Sequence, residues 1–245
     1  ISLTNFPVAI SRAAWVAASL ALALLCFLGV FAYFAPDLSF DGNWYHLPAV
    51  DFWLKAGSIA WVEDSFPSSE LLNGYPKGLE VFSYWLVLLF GEEAANLANF
   101  LFWPLAFLAV GAIALEFGAS FAAAILAASL YLWVPSQLGQ GATLYVDASF
   151  AAALMALFAL LTLITVRLRY YGFSVSWPFY LTAGIAWGLA LGIKGSGALL
   201  SAPVLALWFA NVARAGFGSW RKKIGRALGL ARSEEHTSEL QSHLN

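Results

Sequence analysis

Gly78-Leu-Glu-Val-Phe-Ser-Tyr-Trp-Leu-Val-Leu-Leu-Phe-Gly91 is the stretch on which the topology turns. It is apolar enough for a membrane, yet as a helix it reaches only about 21 Å, against a hydrocarbon core of about 30 Å. If it crosses, every later segment changes side; if it lies in the interface, none does. The decision has to come from the rest of the chain.

That chain is 61% hydrophobic and 11% charged, far below the roughly 25% charged residues of soluble domains. Its apolar material comes in blocks of about 20 residues, which predicts helical spans rather than the short alternating segments of a membrane barrel. Arg12 precedes an apolar run from Ala13 to Phe34. The run is too rich in Trp and Phe, and too long, for a signal peptide. Five more spans are expected over Ala94–Leu115, Ala119–Val134, Val146–Val166, Pro178–Ile193 and Gly197–Ala213, with a hinge at Glu116-Phe-Gly118. In the polar segment Ala35–Glu93, His46–Ala56 has the spacing of a short amphipathic helix stopped by Gly57. Ser65-Phe-Pro-Ser-Ser and Asn73-Gly-Tyr-Pro have turn composition.

Basic residues mark the cytoplasmic side of a membrane protein. If Gly78–Gly91 stays in the interface, with Glu80 on its wet face, Arg12, Arg167, Arg169 and the Arg214–Arg226 cluster share one side. That collects eight of the eleven basic residues ahead of Arg232. If it crosses, Arg167 and Arg169 are stranded outside. The in-plane placement is therefore predicted, and Ala35–Glu93, Pro135–Tyr145 and the Lys194 turn then face one exterior surface.

The two ends are set apart. Arg232-Ser-Glu-Glu-His-Thr-Ser-Glu-Leu-Gln-Ser-His243 resembles a translated sequencing adapter, so 232–245 is read as an artefactual tail and 1–231 as the membrane domain. A first residue Ile1 rather than Met fits the N-terminal part of a longer protein. With the tail removed, His46 is the single histidine, and Cys26 lies within the first span. Disulfide chemistry and a zinc site of the usual kind have no basis.

Charges at the mouths of spans are costly to desolvate and so attract functional readings. Asp41 stands with Tyr45 and His46 in the first outer loop, Asp147 with Tyr145 at the mouth of the fourth span, and Lys194 between glycines at a helix end. Each has a plainer reading. Asp147 suits a helix N-terminus by charge alone; Lys194 can snorkel; a lone His46 beside Pro48 can serve as an interfacial hydrogen-bonding group. Trp44, Tyr45, Trp53 and Tyr75 offer stacking faces, or an aromatic belt. A Mg²⁺ or Mn²⁺ ion held by Asp41, Asp147, Glu63 or Asp64 stays open, and the metal ligands are otherwise unknown. With no GxxxxGK[ST] and no GxGxxG, nucleotide binding is unsupported, and no nucleic-acid partner is expected.

Asp41-x-x-x-Tyr-His-Leu-Pro48, Trp53-Leu-x-x-Gly57, Tyr145-Val-Asp147 and Gly188-Leu-Ala-Leu-Gly-Ile-Lys-Gly-Ser-Gly197, in that order, resemble bacterial GT-C glycosyltransferases. These are polytopic relatives of protein O-mannosyltransferases and of the lipid A aminoarabinose transferase. The resemblance implies an all-α polytopic integral membrane protein: a GT-C bundle with about six transmembrane helices in this N-terminal fragment, and an outer loop carrying in-plane juxtamembrane helices. It implies a sugar donor linked to polyprenyl phosphate, inverting transfer on the periplasmic or extracellular face of a bacterial inner membrane, and Asp41 as general base. Lys194 and Lys77 would then bind the donor phosphate, and Tyr45, His46, Tyr75, Tyr145 and Asp147 would line the substrate site among membrane lipids. Protein O-mannosyltransferases carry Asp-Glu where this chain has Asp41-Gly42, which points to a lipid or glycan acceptor. Two other classes stay open. One is a transporter using the Lys194 break as an ion site; the other is a non-catalytic subunit binding sugar lipids.

Overall fold

A computed structural model describes residues 11–62, 69–168, 175–210 and 213. Among them every regular element is helical. Ser11 caps the first helix, α1 (Arg12–Phe34), by accepting the Ala14 amide at 3.2 Å. Ala14, Ala17, Ala21, Leu24, Leu28 and Ala32 form its buried stripe, while Trp15, Leu20, Leu22, Phe27 and Val30 stay exposed. Small residues facing the bundle and large apolar ones facing outward are the pattern of a helix packed in lipid.

A π-helical turn, Gly42–His46, leads into α2 (Leu47–Ala56), which Gly57 stops at φ +65°, a conformation open to glycine. The helix predicted over His46–Ala56 is therefore present, extended upstream by the π turn. Next come α3 (Ser69–Gly74) and α4 (Gly78–Phe90). After a 3₁₀ turn the chain continues through α5 (Leu97–Phe100), α6 (Phe102–Glu116), α7 (Phe121–Leu132), α8 (Pro135–Leu138), α9 (Val146–Val166), α10 (Trp177–Ile193) and α11 (Gly197–Ala210). The short α3 was not anticipated. Asn73 in α3 clasps Val62, accepting its N–H at 2.9 Å and donating to its carbonyl at 3.0 Å.

All six apolar segments expected to span are helical. Three are long enough to cross by length and composition: Arg12–Phe34, Glu92–Glu116 and Val146–Val166. Phe121–Leu132, Trp177–Ile193 and Gly197–Ala210 are shorter, and the first reaches only about 18 Å as a helix. Glu92–Glu116 is interrupted at Leu101, because Pro104 cannot donate to the Phe100 carbonyl. The helices pack in the order α1, α7, α6, α9, α10, with α9 the most buried of the long ones. Trp187 on α10 donates to Ser201 on α11 at 3.0 Å, and Ala183 and Ala186 pack near Val204 and Trp208. Thus α10 and α11 form an antiparallel hairpin. Lys194 sits in its turn, at an end of the bundle, and not at a break inside one helix as a transporter ion site would require.

α4 does not cross. It begins at Gly78, where an added Cβ would lie 2.7 Å from the Gly192 carbonyl at the end of α10. It ends at Gly91, whose φ of +94° turns the chain into the 3₁₀ element. Asn96, just beyond, donates to the Ala35 carbonyl at the end of α1. Both ends of α4 therefore lie at the same end of the bundle, which is the in-plane placement that the basic residues predicted. Arg12 and Arg167 lie at the other end; Arg169, the Arg214–Arg226 cluster, Glu63, Asp64 and residues 65–68 of the expected turn fall outside the described residues. Glu80, expected on the wet face of α4, is instead fully buried, because His46 and Lys77 supply its partners there.

Candidate active site

The first loop is locked to the loop before α9 by Asp37. Its Oδ1 accepts the Ser39 amide at 2.8 Å and its Oδ2 accepts the Leu144 amide at 2.7 Å, across 107 residues of sequence. Asn99 continues the clamp, donating to the Gln140 and Thr143 carbonyls at 2.6 and 3.1 Å and accepting from Ser149. Gln140 Oε1 accepts the Ala148 amide at 2.9 Å, satisfying an otherwise free donor at the start of α9. These polar residues define the site end of the bundle, and the sequence reading missed Asp37, Asn99 and Ser149. An acid directly after Pro36, and Asn96 and Asn99 inside an apolar run, were the available signals.

Between these loops opens a cleft of about 570 Å³, lined by Asp41, Tyr45, His46, Tyr75, Tyr145, Asp147 and Lys194, among others. Seven of the eight residues singled out from the sequence thus share one cavity. The eighth, Lys77, holds its Nζ 5.8 Å over the Tyr45 ring and 3.1 Å from Glu80.

Asp41 is half-buried at the start of the π turn and accepts the Tyr45 hydroxyl. Burial first, and then that hydrogen bond and the Asp41 charge, push the Tyr45 phenol above its ordinary pKa, so Tyr45 remains a donor. Its ring stacks on Tyr75 at 5.8 Å. Of the four aromatic residues offered as stacking faces, these two line the cleft. Trp53 is buried beneath α4 with its Nε1 donating to the Ala60 carbonyl at 2.7 Å, and Trp44 stacks on Phe40 at 5.1 Å facing a different pocket. Neither lines the cleft that holds Asp41.

Lys194 and Asp147 form an ion pair, each more than a third exposed. Asp147 stands in the first turn of α9 and Lys194 just past the last residue of α10. Each charge is matched to the partial charge of its helix end, so the pair is placed without strain. Being exposed, it is weak as a stabilising contact, and Lys194 is available to an anion that outcompetes one carboxylate.

Glu80 is different. Burial alone would raise its carboxyl, but the His46 Nδ1 hydrogen bond at 2.8 Å and the Lys77 charge outweigh that and hold it below the ordinary range. A lowered folded-state pKa contributes stability that is complete above the unfolded value of about 4.3 and is lost as pH falls through the lowered value. The thermal midpoint in detergent is therefore expected to fall on acidification below pH 4, and to fall less in Glu80→Gln. Equal acid sensitivity of the two proteins would contradict it.

Of the four carboxylates offered as ligands for a divalent cation, Asp41 and Asp147 line the cleft, and Glu63 and Asp64 fall outside the described residues. Among the described residues no three His, Cys, Asp or Glu side chains gather, and Asp147 is already engaged by Lys194. Beside the cleft runs an apolar groove of about 850 Å³ between α1 and the segment Trp133–Tyr145, with Leu24, Phe27, Phe31, Trp133 and Leu138 on its walls. Tyr145 belongs to both cavities.

Comparison with known proteins gives one family match. The model for Dolichyl-phosphate-mannose-protein mannosyltransferase matches residues 91–227, more than half of the chain. The matched range carries Tyr145, Asp147 and Lys194, and begins after Asp41, Lys77 and Glu80. No curated protein and no solved structure matches.

Proposed function

The chain belongs to the dolichyl-phosphate-mannose-protein mannosyltransferase family of membrane glycosyltransferases, and from that premise we propose that it transfers a sugar from a polyprenyl-phosphate donor to a lipid or glycan hydroxyl. The observation that carries this reading is one cleft holding the carboxylate Asp41 and the amine Lys194, brought together from loops more than 150 residues apart.

Asp41 takes the proton of the acceptor hydroxyl as its oxygen bonds to the anomeric carbon. The bond from that carbon to the phosphate oxygen breaks, and the electron pair leaves with the polyprenyl phosphate. A single displacement inverts the anomeric centre, and an anionic leaving group needs no separate acid. Lys194 and Lys77 meet the departing charge. Tyr45 and Tyr75 present ring faces to the sugar. The groove along α1 suits the carrier chain, and Tyr145 stands where chain and head group would join. What supports a lipid or glycan acceptor is Gly42, which stands where protein O-mannosyltransferases carry Glu, and where Asp37 and Ser39 fill the space a side chain would need.

The test is sugar transfer in membranes carrying the protein, from a panel of polyprenyl-phosphate sugars. Lys194→Ala is expected to weaken use of the donor by about 10–100-fold, the worth of one charge-assisted hydrogen bond. Unchanged donor dependence at equal membrane levels would remove Lys194 from phosphate binding. If no donor is consumed by the parent, transport or lipid-sugar binding becomes the better reading.

The cleft is assigned to the periplasmic face of a bacterial inner membrane. A cysteine at Ser136, exposed in α8 at the cleft end, in a Cys26→Ser background, is expected to react with a membrane-impermeant maleimide in whole cells. Labelling only after lysis would reverse the orientation.

A further inference from the structure

Three titratable side chains at the rim of the cleft have no part in the chemistry above as acid, base or nucleophile. Glu80 is fully buried and His46 nearly so, and their side chains meet at 2.8 Å across 34 residues, joining the π turn to α4. Lys77 binds the same Glu80 oxygen at 3.1 Å. Glu80 Oε2 and His46 Nε2 are buried with no hydrogen-bond partner. A buried carboxylate in such a place has to be explained, since burying an ion is costly unless it is paired and hydrogen-bonded.

What the pair holds is the turn that carries Asp41. Within Gly42–His46 the helix is widened, with the Leu47 amide bonded to the Gly42 carbonyl. An inserted residue in a helix rotates everything before it relative to everything after it, and such turns recur at functional sites. The direction of Asp41 is therefore not fixed by α2. The front of the turn is tied by Asn43, which donates to the Asp37 and Ser39 carbonyls at 2.6 and 3.0 Å, and by the Gly42 amide on Ser39 Oγ at 3.1 Å. Tyr45 packs its ring against Tyr75, and among the described side chains of the turn His46 is the one whose hydrogen bond ties the rear to another element, through Glu80. Tyr45, next to His46, supplies the hydroxyl that Asp41 accepts.

We infer that Glu80 is a positioning residue that, through His46, sets the π turn so that Asp41 and Tyr45 point into the cleft, and at the same time keeps Lys77 beside the Tyr45 ring. The inference rests on Asp41 being the base proposed above. His46 Nδ1 carries the proton given to Glu80, and the pair acts as a bolt between the first loop and α4. A displacement of about 1 Å at a reacting group can cost about a hundredfold in rate, so a bolt of this kind matters to turnover without touching substrate.

The test uses the full chain in lipid nanodiscs. Variants are Glu80→Leu, His46→Leu and His46→Asn, in which the Asn amide can take the place of Nδ1. Two readouts are made on each: amide hydrogen exchange of peptides covering residues 41–46, and the kcat and donor KM of transfer. In the two Leu variants exchange over 41–46 is expected to speed up at least tenfold, while α6 and α9 stay protected. In His46→Leu kcat is expected to fall at least tenfold with donor KM little changed; in Glu80→Leu, which also frees Lys77, the same fall in kcat is expected together with a rise in donor KM. His46→Asn is expected to restore both. The inference is overturned if exchange over 41–46 keeps the parental rate in the Leu variants, or if loosening spreads equally to α6 and α9. It is also overturned if His46→Asn behaves as His46→Leu. Should Glu80→Leu fail to insert, the two His46 variants decide. A parent that transfers no sugar refutes the proposed function, and the exchange arm still decides whether Glu80 and His46 set the turn.

Discussion

Asp41→Asn is expected to lower kcat for sugar transfer by about 10²–10⁴-fold, the usual contribution of a general base, with the protein still inserted at parental levels. The substitution keeps the volume of the side chain and a carbonyl oxygen to accept from Tyr45, so the turn keeps its anchors at Asn43 and His46. What it removes is the group able to take a proton. The proposed roles of Lys194 and Lys77 concern the leaving phosphate, so the donor KM should move little. That separation is the useful part of the result. A fall in kcat alone points to the base; a rise in KM with kcat retained would make Asp41 a binding group; full retained turnover would remove it from the mechanism. The measurement is transfer kinetics with the best donor of the panel, at matched membrane levels.

The second large effect is on the fold. Gly42→Ala is expected to destabilise the site end of the bundle by about 3–5 kcal/mol, because an added Cβ would collide with Asp37 Oδ2 and Ser39 Oγ. Overpacking a tight site costs about 1–3 kcal/mol. If Asp37 is displaced, the Leu144 amide loses a charged acceptor, worth about 1.5–3 kcal/mol more. The loop before α9 would then loosen with the first loop, and Tyr145 and Asp147 with it. Thermal unfolding in detergent would show a lowered midpoint and transfer would fall in parallel. Gly184→Ala is the control, since nothing lies within 4 Å of its added Cβ. If Gly42→Ala unfolds with the parent, the packing argument around Asp37 fails.

The apolar blocks and their boundaries were legible because lipid imposes a simple rule: a segment that enters the membrane must be apolar and must satisfy its own backbone, so it is a helix. Val146–Val166 was placed to the residue, and Gly57 was identified as a helix stop. The in-plane course of α4 was legible from charge, not from α4 itself. Its two ends had only to be referred to Arg12 and Arg167. The gathering of Asp41, Asp147 and Lys194 followed from the same parity argument, since three loops on one side of a small bundle have little room to be apart.

Other features were illegible for equally physical reasons. α4 is apolar on nearly every face, so the hydrophobic pattern could not say which way Glu80 points, and the default of a wet carboxylate was wrong. Only the arrival of His46 and Lys77 makes burial affordable. Trp44 and Trp53 have the same chemistry; Trp53 packs in the core because it stands on the face of α2 turned to α4, whereas Trp44 lies in the π turn ahead of α2 and stays exposed. Asp37 resembled a loop acid, and its bond to Leu144 spans a sequence distance that no local pattern encodes.

By itself, then, the sequence determined the solvent of this protein, the helices that solvent requires, and the end of the bundle where charge collects, since these depend on composition and order along the chain. The tertiary structure decided which of those charges are paired, buried or open to a ligand. That depends on which side chains meet across the bundle: Glu80 with His46, Asp37 with Leu144, and Asp147 with Lys194.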